Sequence, residues 1–400
     1  MKIAFLSVWF SDKMGYIENC LPRAMAKMGH DVHIIASTAQ VYFYDPNYKK
    51  IYEPYLGPNT LDPGIEIIDG VKIHRLPLHH FGKKIYFRNL KKVLKEINPE
   101  IIQTFDPCDF PTMHAALYKS GFRYKLYTAN HIVASVFPPL LGKNRYNLFI
   151  KLYFLATRKI PGTLINRVTT KCFAATIDAL EIAVKYCGVQ REKCILAPLG
   201  VDTNHFLPPE EPGAENVKIN LKKKLGFSPE DFICIYTGRF TYGKNPLCLA
   251  KAINILSEKG YNIKGLFLGN GPQAEEIARI NGCIVHKFVP YHELVPFYHI
   301  ADIGVWPRQE STSMLDAGAC GLPVIVSNKV QATERYEGNG LSYIENDSRD
   351  LAEAILKLVD KNYRKQLSKY GIKKIQKNYS WDQIAKERLR IYQEDLDAGR

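Results

Sequence analysis

The sequence predicts an α/β protein built from two doubly wound parallel sheets. Short β-branched runs alternate with longer amphipathic segments, the alternation stops once near the middle of the chain, and it then starts again. The 400 residues suffice for two domains of ordinary size, which would bury roughly three quarters of the surface of the unfolded chain.

In the first half the runs are KIAFLSV (2–8), DVHIIAS (31–37), EIIQTF (100–105) and KLYTAN (125–130). Between the first two, Tyr16 to Met28 has helical spacing and stops at Gly29; Phe87 to Ile97 behaves the same way before Pro99. The segment APLGVDTNHFLPPEEPGAENVK, rich in Pro, Gly and acids, reads as a hinge. Beyond it DFICIYTG (231–238), IKGLFLG (263–269), CIVHKFV (283–289), IGVWP (303–307) and PVIVS (323–327) form a second series of strands. Residues 348–393 read as largely helical, with Trp381 and Tyr392 as apolar anchors. The expected divisions are an N-terminal Rossmann-like domain, 1–203, a second Rossmann-like domain, 204–378, and a helix, 379–400, packing back on the first domain. Two such sheets are expected to face a common cleft at the carboxyl ends of their strands, where sheets of this kind bind ligands.

Composition narrows the function classes. The nine cysteines are scattered and contain no C-x-x-C pair, so they read as reduced thiols of a cytoplasmic protein rather than disulfide staples or a metal site. MKIAFLSVWF reads as a first strand and not a signal peptide, and no run of 18 apolar residues predicts a membrane span. Net charge is +14, and residues 110–177 hold ten Lys or Arg with no Asp or Glu. These are Lys119, Arg123, Lys125, Lys143, Arg145, Lys151, Arg158, Lys159, Arg167 and Lys171, interleaved with residues such as Leu141, Leu148, Phe149, Leu152 and Tyr153. Such a stretch, 119–171, suits anionic lipid headgroups or a phosphorylated acceptor, and equally a buried helix with solvated basic neighbours. No nucleic-acid recognition motif accompanies it, so nucleic acid is not expected as a partner.

Chemistry concentrates in the second half. The loop leaving strand IYTG places Arg239 and Lys244 five residues apart, two cations able to neutralise charge developing on a departing diphosphate. PRQESTSMLDAGACGLPVIVS supplies a strand end, a polar turn and a helix beginning near Ser311. Its free N–H groups, from Ser311 through Thr312 and Ser313 to Met314, form a phosphate site; Asp316 can accept from ribose hydroxyls, and Glu310 can grip sugar hydroxyls. The plainer reading makes Glu310 and Ser311 helix caps.

With these residues in place the chain resembles the retaining family-four glycosyltransferases (glycosyl transferases group 1) of the GT-B fold. The likeness rests on TGRFTYGK, LGNGP, KFVPYHELVPFYHIADIGVWP and DAGACGLPV, then on SDKMGYIEN, KMGHDV, LAPLGVDTNHFLP and SWDQIAKERLRIYQE, nearly the whole chain. It implies two Rossmann-like domains facing each other across a cleft, with a C-terminal helix crossing back. It implies an acceptor-binding first domain, a nucleotide-sugar-binding second domain and transfer of a hexose from a UDP or GDP sugar, with retention, and the basic stretch 119–171 favours a lipid-linked or cell-envelope glycan as the acceptor. By this resemblance Arg239 and Lys244 bind the diphosphate, Asp316 the ribose, and His131 lies near the transferred sugar. Gly15 matches a loop glycine, while Tyr16 stands where a second glycine is usual. Gly238, Asn270 and Lys287 complete the donor contacts. Registered on CGLP, the first acid of the E-x7-E motif falls on Arg308, with Glu310 two residues later; either Glu310 takes that role or the donor sugar is recognised differently. No D-x-D motif ends a strand, so neither a metal nor another cofactor is expected.

Other readings remain. LGNGPQA fits a dinucleotide-binding fingerprint, but the next strand ends in His286 and Lys287 rather than an acid, which weighs against an NAD-dependent oxidoreductase. An epimerase or a phosphorylase would share the two-domain cleft. Arg308 and Tyr16 leave room for a non-catalytic sugar-nucleotide-binding protein or membrane-associated scaffold.

Overall fold

The computed structural model describes residues 1–81, 84–140, 147–209 and 214–398. Lys143 and Arg145 of the basic stretch, Leu141 beside them, and Glu210 to Gly213 of the expected hinge lie outside the described residues. The chain divides into two compact units, Met1–Leu199 with Trp381–Arg400, and Gly200–Ser380.

The first unit is built on strands β1 (Lys2–Leu6), β2 (Asp31–Ser37), β3 (Gly64–Ile68), β4 (Val71–Leu76), β7 (Ile101–Thr104), β8 (Lys125–Asn130), β9 (Lys171–Ala174) and β10 (Cys194–Leu196), with a separate hairpin of β5 (His79–Phe81) and β6 (Lys84–Tyr86). The eight run in the order β10-β9-β8-β7-β1-β2-β4-β3, parallel except for β3 against β4. Both faces are covered, so the central strands are apolar along their length: Ile3, Ala4 and Phe5 of β1 are fully buried. The β3–β4 hairpin is not anticipated by the sequence reading, although Asp69-Gly70 marks it. Both residues have positive φ, 50° and 79°, as a tight hairpin turn requires.

The second unit carries β11 (Phe232–Thr237), β12 (Ile263–Leu268), β13 (Cys283–His286), β14 (Ile303–Trp306), β15 (Val324–Ser327) and β16 (Gly340–Tyr343) in the order β13-β12-β11-β14-β15-β16, all parallel. One core joins the sheet to the helices Pro246–Glu258 and Ser348–Lys357 through residues such as Ile235, Leu249, Val305 and Ile355. In each unit the strand order reverses once, between β1 and β7 in the first and between β11 and β14 in the second. The α/β class read from the sequence is found in both.

The helix Trp381–Asp397 belongs to the first unit, where Trp381, Ile384, Leu389 and Tyr392 enter the core with Tyr127 and Phe173. Polar contacts fix its rotation. Arg388, 2% exposed, donates to Gln103 Oε1 at 2.8 Å and lies over the Phe173 ring, and the Tyr392 hydroxyl meets the same Gln103 oxygen. Asp395 accepts from Lys171 and from the Tyr127 hydroxyl, each at 2.8 Å. A buried cation needs its acceptor, so this helix has one register on the sheet.

Two substitutions test that docking by urea unfolding. Trp381→Ala is expected to cost about 3–5 kcal/mol through the cavity it leaves, and Tyr392→Phe about 1 kcal/mol through its hydrogen bond. Unchanged midpoints would show that the helix does not stabilise the first unit.

Candidate functional site

In the second unit the loops that flank the switch point hold the expected charges. The chain leaves β11 through Gly238, Arg239 and Phe240, turns at Lys244, and enters a helix at Pro246 after Asn245 in the left-handed region (φ 48°). Phe240 is fully buried while Arg239 is exposed, so the loop is pinned by its aromatic ring and presents its cation. The Tyr236 hydroxyl donates to the Arg239 carbonyl at 2.9 Å, fixing the backbone between them.

Lys244 Nζ donates to the Glu310 carbonyl at 3.2 Å. Burial, then repulsion from Arg239, holds the Lys244 ammonium down at about 8; Glu310 opposes this and Arg335 adds to it. Lys244 is thus the charge on which Arg239, Glu310 and Arg335 all act, the two arginines against its ammonium and the Glu310 carboxylate for it. Glu310 is 8% exposed and its Oε1 accepts from the Gln331 N–H at 3.3 Å. Arg308, by contrast, is turned aside: it donates to the Tyr242 carbonyl at 3.1 Å and pairs with Glu345 at 3.6 Å. The acid two residues late in the motif is thus the one held beside the cations.

The helix after β14 spans Ser313–Ala319 with Thr312 as its N-cap, two residues later than the sequence suggests. Its leading N–H groups are not free as expected. Ser311 N–H points at Met314 Sδ (3.4 Å), Ser313 N–H at Ser311 Oγ (3.3 Å) and Met314 N–H at the Ser311 carbonyl (3.3 Å). These contacts are long, and a stronger acceptor would displace them. Asp316, 3% exposed, sits one turn into the helix; burial, then the neighbouring Asp202, pushes its carboxyl well above the usual range.

Asn270 follows β12 in a loop packed on the first: Phe240 N–H donates to the Asn270 carbonyl at 2.8 Å and Gln273 N–H to the Phe240 carbonyl at 3.1 Å. Lys287 is exposed just past β13. Three residues near these groups escape the sequence reading. Arg335 and Gln331 lie in a stretch with no recognisable pattern, whereas Asp202 stands in the LGVD segment read only as a hinge.

Gly15 and His131 lie in the first unit. Gly15 precedes the helix Ile17–Lys27, and Tyr16 caps that helix at φ −82°, an ordinary extended conformation, so a side chain there is unstrained. His131 follows β8 and lines a cavity of about 550 Å³ together with Trp9, Asp106, Asp109 and Arg158. Among the described residues no group of three or more His, Cys, Asp or Glu is placed to hold a metal ion, and no helix is long and apolar enough to cross a membrane.

Comparison with known proteins agrees with this architecture. The family description "Glycosyltransferase Family 4" matches residues 21–205 and "Glycosyl transferases group 1" matches residues 217–374. A D-inositol 3-phosphate glycosyltransferase of Xylanimonas cellulosilytica is 24% identical, over 55% of this chain and 55% of its own length. A putative teichuronic acid biosynthesis glycosyltransferase of Bacillus subtilis is 28% identical, over 33% of this chain and 32% of its own. The chain spans about half the length of the curated relatives it matches. Among solved structures, Anabaena HepE in complex with UDP and glucose superposes with a TM-score of 0.69 at 14% identity, covering 98% of this chain and 99% of that one. With one description matching each half and a solved glycosyltransferase fold matching the whole, the chain belongs to the family-four, group-1 glycosyltransferases of the GT-B fold.

Proposed function

We propose that the protein transfers a hexose from a UDP- or GDP-linked donor, with retention and without a metal ion, to a lipid-linked or cell-envelope glycan at the cytoplasmic face of a membrane. The observation that carries this reading is a buried Lys244 bonded to the Glu310 carbonyl at the switch point of the second sheet, with the charges of Arg239 and Arg335 acting on it and the buried Glu310 as its counter-charge. Arg239 and Lys244 meet the diphosphate and stabilise the charge that grows on it as it leaves, a contribution of several kcal/mol in a water-poor site. The departing phosphate takes the proton of the acceptor hydroxyl. Glu310 holds donor-sugar hydroxyls and Asp316 the ribose, while Gly238, Asn270, Lys287, Ser311, Thr312, Ser313 and Met314 complete the donor pocket. Gly15 and His131 act from the first unit, which receives the acceptor. The names of the relatives support the classes: HepE is solved with UDP and glucose, and other relatives are named for teichuronic acid and capsular polysaccharide biosynthesis.

The membrane reading rests on one face of the first unit. In the helices Leu148–Phe154 and Ile160–Val168 the side chains of Leu148, Phe149, Leu152, Tyr153, Ile160 and Leu164 are all at least half exposed, with Lys151 and Arg167 exposed beside them. The basic stretch as a whole is not one surface. Arg158 is paired with Asp106 at 2.9 Å and Lys171 with Asp395 at 2.8 Å, so neither is available to lipid.

In a thermal-shift screen with EDTA present, one of UDP, GDP, ADP, CMP and dTDP, with its sugar conjugates, should raise stability by about 2.7 kcal/mol at a hundred times its dissociation constant. Arg239→Ala and Lys244→Met should each weaken that binding about tenfold or more. Turnover of the matching donor distinguishes an enzyme from a non-catalytic binder; a shift with NAD alone would defeat the whole reading. Because only the protonated ammonium attracts phosphate and Lys244 titrates near 8, donor affinity should fall as pH rises from 7 to 9, and Lys244→Met should abolish that slope. For the membrane, the protein should co-sediment with phosphatidylglycerol vesicles at low salt and be released as salt rises. Phe149→Glu with Lys151→Glu should remain in the supernatant, and equal sedimentation of that variant would dismiss the surface.

A further inference from the structure

The cavity of the first unit lies at the carboxyl ends of three adjacent parallel strands. Ser7, Val8 and Trp9 follow β1, Phe105 to Asp109 follow β7, and His131 and Ile132 follow β8. It therefore sits at the reversal of strand order, the place where an open α/β sheet binds its ligand. The reading drawn here rests on the proposal that this unit receives the acceptor.

Among the described residues the charges lining the cavity are three carboxyl groups, Glu18, Asp106 and Asp109, and one guanidinium, Arg158, with no lysine. The charge of that guanidinium is answered by Asp106 through one nitrogen, while its buried Nε–H has no hydrogen-bond partner among the described residues. Arg158 Nη2 donates to both oxygens of Asp106, at 3.2 and 2.9 Å, and Asp106 Oδ1 also accepts from the Cys108 N–H at 2.8 Å. Asp109 caps the helix Phe110–Tyr118, its Oδ1 accepting from the Thr112 N–H at 2.8 Å. Burial, then the adjacent Asp106, pushes the Asp109 carboxyl up to about 7. The remaining wall is mostly aromatic and aliphatic, with Ser7, His131 and Thr157 among it; Trp9 and Tyr153 are partly exposed at 38% and 59%, and Tyr153 also belongs to the exposed apolar helical face.

We propose that this cavity takes the hydroxyl-bearing end of a neutral, unphosphorylated acceptor, whose hydroxyls bond to Asp109 and Glu18 and whose apolar appendage leaves past Tyr153 and Phe154. A phosphate monoester in the same place would face Glu18 and Asp109 beyond the Asp106–Arg158 pair, with no lysine among the described lining residues to meet it, and like charges brought together without water are strongly repelled. Of the described basic residues of the surrounding sequence, Arg158 is the one that lines the cavity. The acceptor class thus differs from the inositol phosphate for which one relative is named.

The test uses the full chain and two panels: octyl glucoside, octyl galactoside and octyl mannoside below their micelle concentrations, and glucose 6-phosphate, fructose 6-phosphate and inositol 3-phosphate. Trp9 is the reporter, since Trp306 and Trp381 are buried at 1% and 4% exposure. At least one octyl glycoside should quench its fluorescence saturably while the sugar phosphates do not. Asp109→Asn, which keeps the helix cap, should weaken that binding about tenfold, and Glu18→Gln should weaken it in the same direction. Saturable binding of a sugar phosphate as tight as that of any glycoside, or no binding by either panel, would overturn the inference. Donor binding and turnover are measured on the same preparations. A protein that turns over donor but fails the glycoside test loses only this inference, and one that binds glycosides but no sugar nucleotide loses the glycosyltransferase reading instead.

Discussion

The carbonyl group of Gly238 fills the space where a side chain at residue 269 would stand, and the Phe240 carbonyl oxygen lies 2.6 Å from where a Cβ at residue 271 would be. Much of the second unit's site depends on this backbone-to-backbone contact. Gly269 and Gly271 take φ values of 144° and 151°, which side chains rarely adopt, so the two loops close on each other and exchange hydrogen bonds. The closure buries Phe240, turns Arg239 outward and sets the turn that brings Lys244 against the Glu310 carbonyl. The same contact explains why a dinucleotide-like fingerprint occurs here. Its glycines admit a neighbouring loop, and the pattern G-x-G by itself does not say what approaches the backbone.

The fold was legible because its signals are local and periodic. Buried parallel strands are apolar runs of the right length, and all nine runs read as strands coincide with strands of the structure. The hairpin Gly64–Leu76 escaped because only one face of β3 is covered: Ile65 and Ile67 are 68% and 69% exposed, which spoils the expected alternation. The strand β10 is three residues long, too short to carry a pattern. Site residues divide the same way. Arg239 and Lys244 stand out because a strand precedes them at fixed distance, whereas Arg335 reaches the same site from a short turn, Thr333–Arg335, whose sequence has no periodicity to place it. Position in space decided its role, and a single sequence does not report that.

The basic stretch shows where counting charges fails. Ten cations without a carboxylate looked like one surface, but the carboxylates that answer them come from elsewhere in the chain. Asp106 takes Arg158 and Asp395 takes Lys171, the second from more than two hundred residues away. Among the described residues, what is left beside the exposed apolar helices is the exposed Lys151 and Arg167 with the half-buried Lys159, a small charge beside an apolar area. A surface of that kind would be held mainly by apolar burial, with charge adding orientation and salt dependence.

Set side by side as separate sites, the two sheets solve opposite electrostatic problems with the same topology. At the switch point of the second sheet, burial and the repulsion of Arg239 and Arg335 lower the Lys244 ammonium, and Glu310 does not fully compensate them. At the switch point of the first, carboxyl groups outnumber the guanidinium three to one among the described lining residues, and burial, then Asp106, raises the Asp109 carboxyl. Each site is thus short of the charge its ligand would bring, or of the hydrogen-bond donors that a neutral polyol would bring. Both groups are retained in an unfavourable ionisation environment at the ends of strands rather than replaced by apolar side chains. That arrangement costs stability in the empty protein and is recovered when a ligand supplies the missing partner. A diphosphate for the second unit and uncharged hydroxyls for the first are the chemical classes that would complete them.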